Sequence, residues 1–360
     1  MGHLPIVNQA TFSKMISDGC ISTRGFLGKL WIKTTSDILS DVLTTRKGDL
    51  IFPWVIHGEG GSNIGFKHVF KVADAPIFVK GDEFPVKIPL QVNGLEYGEP
   101  LSEADALDLW DKELLWNAIG KKSLGRGRSL THQTPMEDEK IIELLNERNP
   151  SGPKKIKLKK FKQTQIPICI DPRQNKLGKN LLKKMNAIAE EDRLRFLDFK
   201  SIPWRRNNLF SYEKTLEAWL MANIDKPTCK QFRKLAFDDD TPIRWFANYL
   251  PFGVQGGNID VVALQGENGV KIANVIELKV GPLNQRGFEE AAMQVLDYSV
   301  FIGRALRAFG EEHLMNVVVV SGKSNIIDKT DIKDKHIGKV KWVGYEINSA
   351  NDVIFSNQVT

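Results

Sequence analysis

Between residues 253 and 300 the chain reads G-V-Q-G-G-N-I-D-V-V-A-L, then N-V-I-E-L-K-V-G, then Q-V-L-D-Y, setting Asp260, Glu277, Lys279, Gln294 and Tyr298 in one order. Two carboxylates and an ammonium spaced this way suit metal-dependent cleavage of a phosphodiester. Mg²⁺ is a hard cation that takes one or two carboxylates together with water and phosphate oxygens. Bound so, it acidifies a water and offsets charge growing on the phosphoryl group. A lysine beside it orients the attacking water or meets that same charge. The plain alternative is a strand-end salt bridge between Glu277 and Lys279. Against it, a strand as apolar as V-I-E-L-K-V should not bury a charge pair that has no use.

The elements that must position these groups are legible. Asp260 lies in the apolar run 259–264 and Glu277 and Lys279 in the run 275–280, so both runs read as strands. G-E-N-G at 266–269 is a hairpin-turn signal between them. Period two puts Glu277 and Lys279 on one face of their strand. Residues 287–306 read as a helix, with Ala291, Val295, Tyr298 and Ile302 at helical spacing. Gln294 and Tyr298, four apart, share a face of it.

Asp260, sixteen residues, then Glu277-x-Lys279 resembles the PD-(D/E)XK nuclease superfamily. The Q-x-x-x-Y of Gln294 and Tyr298 resembles its RecB-like and EndoMS-like branches. Ile259 stands where many members have proline. The resemblance covers about residues 205–325 and implies a mixed sheet flanked by helices. It also implies Mg²⁺ (with Mn²⁺ substituting) held by Asp260 and Glu277, Lys279 positioning the water, and Gln294 orienting the site or touching the backbone phosphate. The family further carries an acidic residue on a helix before the first active strand. S-Y-E-K-T-L-E-A-W-L offers Glu217, with Glu213 one turn earlier; Glu217 is preferred because Leu216, Ala218 and Leu220 flank it.

The 360 residues are enough for two domains, each with its own core. Three distant cysteines without metal spacing suit a reducing cytosol, and no run has transmembrane length, so a soluble cytoplasmic protein without membrane contact is expected. Six scattered histidines indicate neither an HNH-type nor a zinc site. G-K-K-S-L-G-R-G at 120–127 lacks the spacing of a phosphate loop, and Asp238-Asp239-Asp240 reads as a solvated turn. The net charge of +6 is unevenly spread. Residues 151–206 carry 16 basic and 5 acidic side chains, a local +11 that leaves −5 elsewhere. From Asn149 the chain reads N-P-S-G-P-K-K-I-K-L-K-K, which marks a basic linker over 151–204 with a bridging helix at 177–199. Lys154 and Lys155 are candidate DNA phosphate contacts.

Residues 1–150 alternate short apolar runs with turn signals, a pattern for a small curved β-sheet or barrel, followed by helices at 104–119 and 137–148. G-K-L-W-I-K-T, K-G-D-L-I-F-P-W, I-G-F-K-H-V-F-K-V-A, F-P-V-K-I-P-L and S-L-G-R-G-R-S-L in this order resemble the PUA-like superfamily, particularly its YTH and EVE branch. The resemblance implies a modified base flipped into an aromatic pocket, with Trp31 and Trp54 as walls, Phe52 as a third, and Arg126 and Arg128 on phosphates. The same tryptophans could instead fill a core.

The combined expectation is an α/β and α+β chain in three parts. Residues 1–150 form a PUA-like DNA reader, 151–204 a linker, and 205–360 a PD-(D/E)XK endonuclease acting on double-stranded DNA as a homodimer. The activity expected is restriction-type cutting at a modified base. Cutting of unmodified sequence, or EndoMS-like mismatch or structure-specific repair cleavage, are the alternatives.

Overall fold

The computed structural model describes residues 2–23, 44–56, 65–74, 76–78, 86–112, 114, 130–161, 205–210, 213–237, 241–252, 257–266, 270–324, 336, 339–350 and 352–358. They fall into two compact units, one formed by the described residues up to 161 and the other by those from 205 onward. The chain is mixed α/β, with six α-helices among the described residues, none long and apolar enough to cross a membrane.

The N-terminal unit holds strands β1 (Gly2–Leu4), β2 (Ile6–Asn8), β3 (Cys20–Thr23), β4 (Leu50–Ile51), β5 (Trp54–Ile56), β6 (Gly65–Lys71), β7 (Ile77–Phe78), β8 (Val86–Pro89), β9 (Asn93–Leu101), β10 (Thr131–Gln133) and β11 (Lys154–Lys157). Its helices are α1 (Gln9–Asp18), α2 (Glu103–Asp111) and α3 (Pro135–Arg148). The larger sheet runs β10-β1-β4-β6-β5-β2, and β9 bridges β6 to β11; β3-β8-β7 make a smaller one. Both sheets are open among the described residues, so the expected barrel is not closed. The expected strand across G-D-L-I-F-P-W-V is two strands, parted at Phe52-Pro53, because proline has no N–H to give the ladder.

Helix ends here follow from side chains. Ser102 and Asp105 form a capping box at the start of α2, and Thr134 and Glu137 another at α3, with Pro135 in the first turn. Helix α2 stops at Asp111, short of the expected 119. Residues 154–157, expected within a linker, are instead β11, which pairs antiparallel with β9. A charge run need not be a linker when every second residue is apolar: Ile156 is half-buried and Leu158 fully buried.

The C-terminal unit opens with a short hairpin, β12 (Arg205–Arg206) and β13 (Leu209–Phe210), then α4 (Glu213–Asn223) and α5 (Lys230–Ala236). Six strands follow: β14 (Ile243–Phe252), β15 (Gly257–Gln265), β16 (Ile272–Pro282), β17 (Leu314–Gly322), β18 (Lys341–Ile347) and β19 (Val353–Asn357), in that spatial order. Helix α6 (Gln285–Ala308) joins β16 to its parallel neighbour β17, a connection that needs a crossover element. Register assigns the layers. Asn248, Val261, Ile276 and Leu278 share the face covered by α4 and α5, on which Trp219 and Phe232 meet Phe355. The other face, with Glu277 and Val319, lies under α6, where Phe288 stacks on Trp342 at 4.6 Å. The expected mixed sheet flanked by helices is present.

Trp54 packs edge-on to Phe66 at 5.0 Å within a core that includes Leu4, Phe52, Val69 and Tyr97. Trp54→Ala should therefore lower stability by about 3–5 kcal/mol, read as a fall in the thermal midpoint of the N-terminal unit. A wall of an open pocket would cost far less.

Candidate active site

β15 and β16 pair antiparallel up to Val261 and Ile276, and one step further sets Asp260 against Glu277. At that step Asp260 Oδ2 accepts the Leu278 backbone N–H at 2.8 Å. The side chain takes a donor of the central strand, and Asp260 is thereby locked at the place where the two strands part. Beyond Leu278 the β16–β17 register shifts, and Tyr345 donates its hydroxyl to Val280 O at 2.8 Å. Lys279 lies inside this irregular stretch with its ammonium on Glu277 Oε1. The three sequence-predicted residues Asp260, Glu277 and Lys279 thus come together on one face.

The site is poor in water. Asp260 is 8% exposed and Glu277 1%, while Lys279 stays half-buried. Burial, then the charges of Glu277, Glu217 and Glu213, push the Asp260 carboxyl well above its usual range. Burial likewise raises Glu277, against the pull of Lys279. For Lys279, burial works downward, but Glu277, Glu213 and Asp260 together hold the ammonium above its ordinary value. No N–H or hydroxyl reaches Glu277 Oε2 among the described residues, and the Asp260 carboxyl stands within hydrogen-bonding reach of Glu277. A proton shared between them, or a cation in its place, is what such a pair requires.

That donor set fits Mg²⁺. Two hard carboxylates face each other with one buried oxygen open. Magnesium sites are commonly completed by waters and substrate phosphates rather than by protein alone.

Residues around the site divide into those that face it and those that brace it. Glu217 is fully buried, and its two oxygens are taken by Lys214 and by Asn248 on β14. It ties α4 to the sheet. Glu213, one turn earlier and half-exposed, bears electrostatically on Asp260, Glu277 and Lys279 alike. Apolar flanks favoured Glu217 in the sequence, and they mark its burial; its charge, like that of Glu213, bears on Asp260. On α6, Gln294 donates to the Tyr298 hydroxyl. Burial raises the Tyr298 phenol, with Glu277 and Asp260 adding to the rise, so this pair stands at the site.

The N-terminal candidates fare differently. Phe52 is 0% and Trp54 1% exposed, so neither offers an open ring face, and both are core residues rather than pocket walls. Flat, rigid aromatics on short strands close a core most economically, which the spacing of the motif cannot distinguish from a cage. Trp31, Arg126 and Arg128, the expected helix 177–199 and the triplet 238–240 lie outside the described residues. Lys154 and Lys155 are exposed on β11.

No protein-family model matches the chain, and no curated protein matches it.

Two outcomes follow from this geometry. Asp260 binds its proton more tightly folded than unfolded, so without metal it destabilises the fold increasingly as pH rises above the ordinary carboxylate range. Asp260→Asn, which keeps an acceptor for Leu278, should raise the metal-free melting temperature at neutral pH by roughly 2–4 °C per kcal/mol released, with no gain at acid pH. Glu217→Ala should instead destabilise by about 1–3 kcal/mol, since Lys214 and Asn248 lose their buried acceptor, whereas Glu213→Gln should leave the melting temperature nearly unchanged.

Proposed function

We propose that the chain is a metal-dependent endonuclease that hydrolyses phosphodiester bonds of double-stranded DNA. The observation that carries this reading is the buried Asp260–Glu277 pair, with an open carboxylate oxygen and the Lys279 ammonium at its side. Asp260 and Glu277 would hold Mg²⁺ or Mn²⁺, which when bound supplies an acidified water and a counter-charge for the phosphoryl oxygens.

The remaining roles belong to the chain. Lys279, held charged by its acidic surroundings, positions the nucleophilic water and meets the developing negative charge. Glu213 adds a carboxylate at the rim for the outer water shell. The Gln294–Tyr298 pair orients the site or touches the backbone phosphate. Glu217 acts through α4, by keeping the turn that carries Glu213 against β14. Two copies of the site, in a homodimer, would serve the two strands of a duplex.

Restriction-type cutting, with the N-terminal unit choosing the site, remains part of this proposal. A pocket for a modified base would have to be built without Phe52 and Trp54, because both are inside the core. Their burial favours readings in which unmodified sequence, or a mismatched or branched structure, directs cutting.

The decisive assay is Mg²⁺-dependent cleavage of matched plasmids that are unmodified, adenine-methylated, cytosine-methylated or hydroxymethylated, together with mismatched and branched duplexes. Lys279→Ala should lower the cleavage rate by about 10²–10³-fold while leaving duplex affinity nearly intact, because it removes a transition-state contact. Cutting at an undiminished rate would sink the assignment. Cation binding must displace the proton held by the carboxylate pair, so Mg²⁺ affinity and cleavage should both rise with pH above the ordinary carboxylate range. Titrating Mg²⁺ at several pH values checks this.

A further inference from the structure

The N-terminal unit displays a row of lysines that the catalytic reading does not use. In β11 and the residues after it, Lys155, Lys157 and Lys159 are exposed, while Ile156 is half-buried and Leu158 buried. Alternate residues of a strand point the same way and lie about 6.8 Å apart, so Lys155 and Lys157 stand side by side facing water. The same alternation carries on to Lys159.

This backbone is pinned. β11 pairs with β9 over four residues, Leu158 N–H bonds Val92 O at 2.7 Å, and Lys159 N–H bonds Ile16 O at 3.2 Å. Gly19, in the left-handed region at φ +69°, comes so close that a Cβ there would meet Lys159 O at 1.9 Å. Among the described residues no carboxylate neutralises the row. Lys155 and Lys157 stand opposite Leu95 and Asn93, and among the described residues no carboxylate pairs with them or with Lys159. The nearest acid in register, Glu96, faces Lys154 and is already held by Lys67 at 2.9 Å. Like charges fixed in a row without counter-charge repel one another, and a polyanion lying along them relieves this. A nucleic-acid strand, with one phosphate per about 3.4 Å of axis, supplies charge at the required density.

We propose that Lys155, Lys157 and Lys159 form a preorganised rail that binds the phosphate backbone of duplex DNA without regard to sequence. The rail rests on the reading of DNA as the substrate, and it goes beyond it by giving the N-terminal unit its own backbone contact. It makes Lys154–Lys157, expected within a basic linker, part of a paired strand.

The test is binding of a fluorescent mixed-sequence duplex by the full chain, in chelator so that no cutting occurs, at a series of salt concentrations. Lys155→Gln, Lys157→Gln and Lys159→Gln together should weaken binding at least tenfold at low salt and reduce the slope of log affinity against log salt by about 3. A control triple of Lys112→Gln, Lys140→Gln and Lys323→Gln removes the same charge from lysines already paired with Asp108, Glu143 and Glu346. It should leave the slope nearly unchanged, and equal melting temperatures check that both triples fold. An unchanged slope in the rail triple, an equal loss in the control, or no duplex binding by the wild type would each overturn the rail. Mg²⁺-dependent cutting by a chain whose rail triple binds normally would overturn the rail alone. Rail-dependent binding by a chain that never cuts would instead remove the nuclease reading and leave the rail standing.

Discussion

Two carboxylates pressed together out of water, at the point where two strands separate, set the terms for the whole C-terminal unit. Burying one such charge is costly, and burying two side by side is worse unless a proton, an ammonium or a cation intervenes. Lys279 offsets part of the cost at Glu277, and the Leu278 N–H offsets part at Asp260. The remainder is left as raised proton affinity at both carboxylates. Charge burial thus works against stability at one spot, and the rest of the sheet has to hold that spot in place.

The sheet does so by register. A slip of one residue between β15 and β16 would carry Glu277 to the face under α4 and α5 and leave Asp260 alone. A buried polar layer at the far end of the strands opposes such a slip. Asn274 donates to Gln265 and to Ala263 O, Asn316 donates to Asn274 and to Ala236 O, and Gln265 donates to Thr241 O. The Asn274 bonds to Gln265 and Ala263 join β16 to β15 directly, so a wrong alignment of the two would strand buried amides. Glu217 does similar work between α4 and β14.

The N-terminal unit is held by different means. Its strands are short, and its core depends on a few large rings, Trp54, Phe52 and Phe66 among them. Its helices start at side-chain caps, and Asn149 closes α3 by donating to Leu145 O and Glu99 O while accepting from the Glu99 N–H. That last contact also steadies β9, the strand on which the lysine-bearing β11 is laid.

Much of the arrangement around Asp260 and Glu277 was legible in the residues. The apolar runs around Asp260 and Glu277 could only be strands, period two ruled on which side Glu277 and Lys279 point, and the helical repeat from Phe288 to Leu306 carried Gln294 and Tyr298 with it. These are local consequences of chain geometry, and local pattern suffices to read them. Tertiary structure alone decided how deep the two acids of α4 sit, with Glu217 buried and Glu213 half-exposed on one helix face. It decided that Phe52 and Trp54 are core, since a ring's open face depends on what packs against it from distant strands. It decided that Lys154–Lys157 is a sheet edge and not a linker, because the partner strand lies some sixty residues earlier and no local pattern can announce it.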